Sequence, residues 1–154
     1  MRIVPGDLED PRVLALLDLH LRSARAATGP KSAHALDPLQ LRSPEISFWT
    51  IWDADTLIGT GALKRLSSDH GEVKSMHTVQ SMRRRGAGSA MLRHLIGTAK
   101  AAGMVRLSLE TGSWGYFLPA VAFYRRHGFV ECPPFADYVP DPNSLFLTLA
   151  LPEP

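Results

Sequence analysis

The chain has one cysteine, Cys132, in 154 residues. A single thiol excludes an internal disulfide framework and agrees with a reducing, cytoplasmic setting. Standing before Pro133-Pro134, it reads as a small semi-buried residue and not as a nucleophile. No run of about 18 apolar residues occurs, so no helical membrane span is expected. The start, MRIVPGDLED, lacks a basic stretch followed by an apolar one, so no signal peptide is expected. Charge of either sign is in small excess: 17 Lys and Arg against 15 Asp and Glu, a formal +2. That is too little for a nucleic-acid binder. The six histidines, His20, His34, His70, His77, His94 and His127, have no paired ligand spacing, so no metal site is predicted. No G-x-x-x-x-G-K-[ST] run exists, which removes the P-loop. The dinucleotide fingerprint fails at its third glycine, where Gly86-Ala87-Gly88-Ser89-Ala90 is followed by Met91. Ser113, in Thr111-Gly112-Ser113, is not in a nucleophile elbow.

What is present is ordinary in bulk and specific in one place. Hydrophobic residues make up 45% and charged residues 21%, as in a globular chain large enough for a real core. With no repeat, low-complexity tract or linker, residues 1–154 read as one domain. The specific stretch is Thr78 to Leu95, TVQSMRRRGAGSAMLRHL. A strand end, three arginines, a Gly-Ala-Gly turn and an amphipathic helix follow one another without a gap. Such a helix start offers unpaired N–H groups and the positive end of a dipole, and Arg83, Arg84 and Arg85 add cations beside it.

The remaining elements fall out in order. Arg2 to Pro5 reads as a strand. Asp10-Pro11 opens a helix as N-cap and first residue, with Val13, Leu14, Leu17, Leu21 and Ala24 at helical spacing. Ala35 to Leu41 is a second short helix, closed by Ser43-Pro44. Strands follow at Ile46 to Trp52, Thr56 to Leu66 and Glu72 to Val79. The helix Ser89 to Ala102 leads to a strand at Met104 to Glu110. Pro119 to His127 is a helix with Gly128 as its C-terminal cap. Short strands at Phe129 to Cys132 and Leu145 to Leu151 flank the proline-rich loop PPFADYVPDPNS. The order is β-α-α-β-β-β-α-β-α-β-β: a meander, then a strand-helix-strand crossover from Glu72 to Glu110 that makes its two strands parallel.

Two motifs name a family. Arg83-Arg84-Arg85-Gly86-Ala87-Gly88 fits [QR]-x-x-G-x-[GA], the pyrophosphate-binding signature of the GNAT superfamily of acetyl-CoA-dependent N-acetyltransferases. Ala120-Val121-Ala122-Phe123-Tyr124-Arg125-Arg126-His127-Gly128-Phe129 fits A-x-x-[LF]-Y-x-x-x-G-F, the same superfamily's helix-then-strand signature. The chain resembles GNAT proteins, in particular small bacterial ones, over nearly its whole length. The resemblance implies an α/β (α+β) acyl-CoA N-acyltransferase fold, a mixed and mostly antiparallel sheet flanked by helices. It implies acetyl-CoA as cosubstrate, a small-molecule or peptide amine as acceptor, and homodimers as a common assembly. It places pantetheine against main-chain groups of Met76, His77 and Thr78. The pyrophosphate falls on Arg83, Arg84, Arg85, Gly86, Ala87, Gly88 and Ser89. One departure stands out: Phe117 occupies the place, three residues before Ala120, where many members have Asn. That contact is either missing or supplied otherwise, with Ser113 the candidate substitute.

Acetyl transfer needs a neutral amine, a polarised carbonyl and a proton for the departing thiolate. The family does this by direct attack in a ternary complex. Tyr124, at the position of the family's general acid, is a phenol that stays protonated at neutral pH; as an alternative it is a packing residue on an amphipathic helix. Glu72, eleven residues before Arg83, has the spacing of the basic glutamate in the histone-acetylating branch. Equally, it is a solvated residue at a strand entrance beside Lys74. Glu110 and His77 are further candidates for the base, and an amine that arrives neutral needs none. Outside catalysis, a non-catalytic acyl-CoA-binding regulatory domain is the alternative to the enzyme.

Overall fold

The computed structural model describes residues 1–28, 36–79, 83 and 86–152. Its elements are β1 (Arg2–Pro5), α1 (Pro11–Thr28), β2 (Ile46–Asp53), β3 (Thr56–Arg65), β4 (His70–Thr78), α2 (Ala87–Ala101), β5 (Arg106–Gly112), α3 (Leu118–Arg126), β6 (Val130–Glu131) and β7 (Ser144–Ala150). The order matches the one read from sequence, with ends displaced by a residue or two. The expected second helix is mostly not one. A 3-10 turn covers Gln40–Arg42, and Ala35 lies outside the described residues. Asp37 and Gln40 do form a reciprocal cap, each side chain accepting the other's backbone N–H at 2.8–2.9 Å. Pro44 then stops the chain before a full helical turn can propagate.

All seven strands form one sheet in the order β1-β2-β3-β4-β5-β7-β6. Every pairing is antiparallel except β4 with β5, the two strands joined through α2. The last strand, β7, enters between β5 and β6, with Leu147 opposite Leu109. Period-2 alternation assigns faces but not neighbours, so this insertion could not be read from the chain.

Each face of the sheet has its own core. Against one lies α2, whose Met91, Leu92 and Leu95 are at most 1% exposed and pack on Val73, Leu107, Leu109 and Leu147. Burying a leucine this completely contributes roughly 1.5–3 kcal/mol. On the other face, Val13 and Leu17 of α1 pack on Phe48, Trp52 and Ala62. Leu21 is also buried; the side chain of Ala24 lies outside the described residues.

A β-bulge interrupts the β3–β4 pairing between Thr60 and Ala62, with Ser75 at φ 54°. The Thr60 hydroxyl donates to the Ser75 carbonyl at 2.7 Å and holds the bend. The extra residue changes the phase of β4, as bulges do. Met76 faces Met91 of α2, whereas His77 meets His20 of α1.

Candidate active site

The parallel ladder between β4 and β5 is short. It runs from His70↔Arg106 to Glu72↔Ser108 and stops. β5 continues to pair with β7 as far as Gly112, and β4 continues beside β3 as far as Thr78. The two strands therefore part company, leaving main-chain groups of β4 without a β5 partner beyond Glu72. Met76, His77 and Thr78 lie on this stretch.

At its end stands the helix α2. Gly86 is the N-cap, at φ 85°, a conformation that strains any residue with a Cβ. The first intrahelical bond is Ala90 N–H to Gly86 C=O, so the N–H groups of Ala87, Gly88 and Ser89 have no partner within the helix. No side chain among the described residues caps them. Ala87 is buried, and Gly88 lies against the Phe123 ring of α3 and the Thr78 hydroxyl. Arg83 is exposed and donates its Nε–H to the Thr78 carbonyl at 3.3 Å. Arg84 and Arg85 lie outside the described residues. Gly86, Ala87, Gly88 and Ser89 thus present an anion-binding turn at the mouth of the strand gap.

Tyr124 comes from α3, on the α2 side of the sheet. Its ring meets Phe123 and Phe129 edge-on, at 5.2 and 5.6 Å between centroids. Burial pushes the phenol's pKa well above its ordinary value, so the group keeps its proton. Its hydroxyl makes no hydrogen bond among the described residues.

The carboxylates lie on the opposite face, under α1 and the proline-rich loop. Glu72 is 2% exposed, which overturns the solvated reading at the strand entrance. Its Oε2 accepts from Lys74 Nζ at 3.1 Å and from the Tyr138 hydroxyl at 2.6 Å. Lys74 also donates to the Tyr138 oxygen at 2.8 Å, closing a ring of three buried polar groups. Sequence reasoning missed Tyr138; the only signal was the aromatic in an otherwise irregular FADY segment. Glu110 is half-buried on the same face, two residues past the last β4–β5 pair. Burial raises its pKa to about 7, with Glu72 and Asp141 pushing the same way and the Ser144 hydroxyl and Lys74 pulling back. The pull from Ser144 is through its dipole, since its Oγ is buried without a formed hydrogen bond.

His77 does not face a carboxylate. Its Nδ1 lies 3.2 Å from Nδ1 of His20, so one ring donates and the other accepts. Burial holds both imidazoles down, each to about 4, and the charges of His20 and Arg83 further discourage a proton on His77. A pair this reluctant to be charged is a poor base at neutral pH.

Other expectations are settled by contacts. The Ser113 hydroxyl donates to the Pro142 carbonyl at 2.5 Å and ties down the loop. Phe117 lies over Gly112 so closely that any Cβ there would collide with the ring. It packs edge-on with Tyr116, and its departure from Asn is a choice of plug over polar contact. Burial raises the Cys132 thiol above its ordinary value, which disfavours a thiolate. Among the described residues no group of three His, Cys, Asp or Glu is placed to hold a metal ion. No described helix is long and apolar enough to cross a membrane.

A mixed sheet parted between its two parallel strands, with an uncapped helix start at the parting, defines a CoA-dependent acyltransferase. Comparison with known proteins makes this specific. The profile of the acetyltransferase (GNAT) family matches residues 13–129. The uncharacterized N-acetyltransferase YsnE of Bacillus subtilis is 48% identical over 98% of this chain and all of its own. YedL of Escherichia coli, likewise an uncharacterized N-acetyltransferase, is 46% identical over 97% of this chain and 94% of its own. Among solved structures, one assigned as an acyl-CoA N-acyltransferase from Klebsiella pneumoniae superposes with a TM-score of 0.77, at 25% identity and 97% coverage of each chain. A GNAT acetyltransferase from Elizabethkingia anophelis with acetyl-CoA bound shares the fold at a TM-score of 0.72, 16% identity and 97% of each chain. The chain belongs to the GNAT acetyltransferase family. As a member it is an N-acetyltransferase with acetyl-CoA as its cosubstrate.

Proposed function

We propose that this chain, as one domain over residues 1–154, moves the acetyl group of acetyl-CoA to a primary amine of a small molecule or peptide. The transfer is direct, within a ternary complex. The observation that carries the reading is the end of the parallel ladder at Glu72↔Ser108, with the free N–H groups of Ala87, Gly88 and Ser89 at the mouth of the gap. The pyrophosphate is held by those groups together with Gly86, Arg83, Arg84 and Arg85. The pantetheine arm lies along Met76, His77 and Thr78. The thioester enters the gap, where unpaired main-chain N–H groups polarise its carbonyl.

Tyr124 supplies the proton to the thiolate. Its raised pKa keeps it a donor at every working pH, and its hydroxyl has no competing partner among the described residues. The acceptor approaches from the other face of the sheet, lined by Glu72, Lys74, Glu110 and Tyr138. Donor and acceptor thus reach the gap from opposite sides and need not exchange places.

The test is a screen that follows thiol release from acetyl-CoA against amines, amino acids, aminoglycosides and peptides. The expected result is amine-dependent thiol release and an N-acetylated product. Tight CoA binding without turnover on any of these classes would overturn it.

A further inference from the structure

We propose that Glu110, and not Glu72, accepts the proton of the acceptor amine. The assignment rests on the function proposed above and names a residue for its base.

The two carboxylates share a face but not a situation. Glu72 sits at the last rung of the parallel ladder and is enclosed. Its Oε2 already holds Lys74 and Tyr138. That oxygen is committed to an ammonium and a phenol, and the enclosed side chain leaves an incoming amine no approach. Removing it would leave Lys74 buried without its partner, which is a structural penalty. Glu110 lies two residues further along β5, where β4 has already separated. It pairs with Phe146 of β7 through its backbone, and its carboxylate makes no ion pair among the described residues. It is half-buried where Glu72 is sealed, so an acceptor can reach it.

The groups facing Glu110 come from three elements. From β4 these are Glu72 and Lys74; from the proline-rich loop, Tyr138 and Asp141; from β7, Ser144. Lys74 is the one cation among them, and its charge is shared with Glu72 at 3.1 Å. Ser144 Oγ, buried without a formed bond, is a donor ready for the carboxylate once that charge develops. The surroundings make Glu110 a weak acid as a neutral group and a competent acceptor as an anion, with the change near neutrality.

The step balances. The acceptor enters as an ammonium and gives one proton to the Glu110 carboxylate, which passes it to water. The freed lone pair forms the C–N bond while the carbonyl π pair moves to oxygen. Collapse of that intermediate breaks the C–S bond, and the sulfur takes the Tyr124 proton. The second nitrogen proton, lost as the amide forms, restores the phenol through water. One proton is released for each acetyl group transferred.

The test compares wild type, Glu110→Gln and Glu72→Gln. The probe is the amine with the fastest thiol release in the screen, and kcat/KM is followed from acid to alkaline pH. Wild type should show an acidic limb near pH 7, apart from any limb set by the amine itself. In Glu110→Gln that limb should vanish and kcat/KM should fall by about 10²- to 10⁴-fold, with acetyl-CoA affinity by calorimetry unchanged. Glu72→Gln should keep the limb. Should Glu110→Gln fail to bind acetyl-CoA, Glu110→Asp takes its place and should retain the limb at a lower rate. A limb that survives in Glu110→Gln, disappears in Glu72→Gln, or is lost in Glu110→Asp overturns the assignment. Wild-type inactivity toward every amine would overturn the function itself, a result distinct from all of these.

Discussion

Tyr124 is asked to act only when charge appears on sulfur. Its removal should therefore weaken the transition state more than ground-state binding. In Tyr124→Phe the ring still packs on Phe123 and Phe129. Fold and CoA affinity should hold while single-turnover rates fall about 10- to 1,000-fold. Single-turnover rates equal to wild type would remove the general-acid role; steady-state rates are a weaker guide where product release is slow. The two buried imidazoles make a second prediction. Their folded pKa values lie near 4, below the ordinary 6.5, so the unfolded chain binds protons that the native one refuses. Their contribution to stability is complete above about pH 6.5 and is lost as the pH falls toward 4. His20→Leu should flatten the decline in Tm over that window, and parallel curves for mutant and wild type would contradict it. Tyr124 was legible because a motif carries it. The burial of Glu72 was not, because it depends on Tyr138, 66 residues away in a loop without periodicity.

At the scale of elements, the Gly-Ala-Gly turn that opens α2 was the most legible part of the chain. Gly86, Gly88 and the amphipathic run behind them are all local, and α2 begins within two residues of its expected start. The parting of β4 and β5 after Glu72↔Ser108 is carried by no periodicity in the chain. The bulge at Ser75, further along β4, is also announced by no spacing. Likewise the second short helix failed because a correct cap at Asp37 met a proline too soon. These elements meet at one point, so one substitution probes them together. Gly86→Glu forces a Cβ into φ 85° and puts an anion beside three free N–H groups. Acetyl-CoA raises the Tm of wild type by binding the native state; in Gly86→Glu that rise should disappear. A folded Gly86→Glu protein with wild-type CoA affinity would mean that the pyrophosphate sits elsewhere.

The whole molecule separates its tasks by the two faces of one sheet. On one face, α2 and α3 carry the Gly86 turn and Tyr124, the proposed acid, beside the larger apolar core. On the other, α1 and the proline-rich loop enclose a polar patch of Glu72, Lys74, Tyr138 and Glu110 around the same gap. This division explains why the donor side is written in motifs and the acceptor side is not. Every GNAT protein meets the same cofactor, whereas each acceptor needs its own loop. On the proposed reading the two substrates are present together, because neither has to leave before the other can enter. Initial velocities over a grid of acetyl-CoA and acceptor concentrations test this most directly. The account predicts lines that intersect in double-reciprocal plots, and a protein that carries no acetyl group after incubation with acetyl-CoA alone. Parallel lines, with a covalently acetylated chain that passes its acetyl group to the amine, would contradict it.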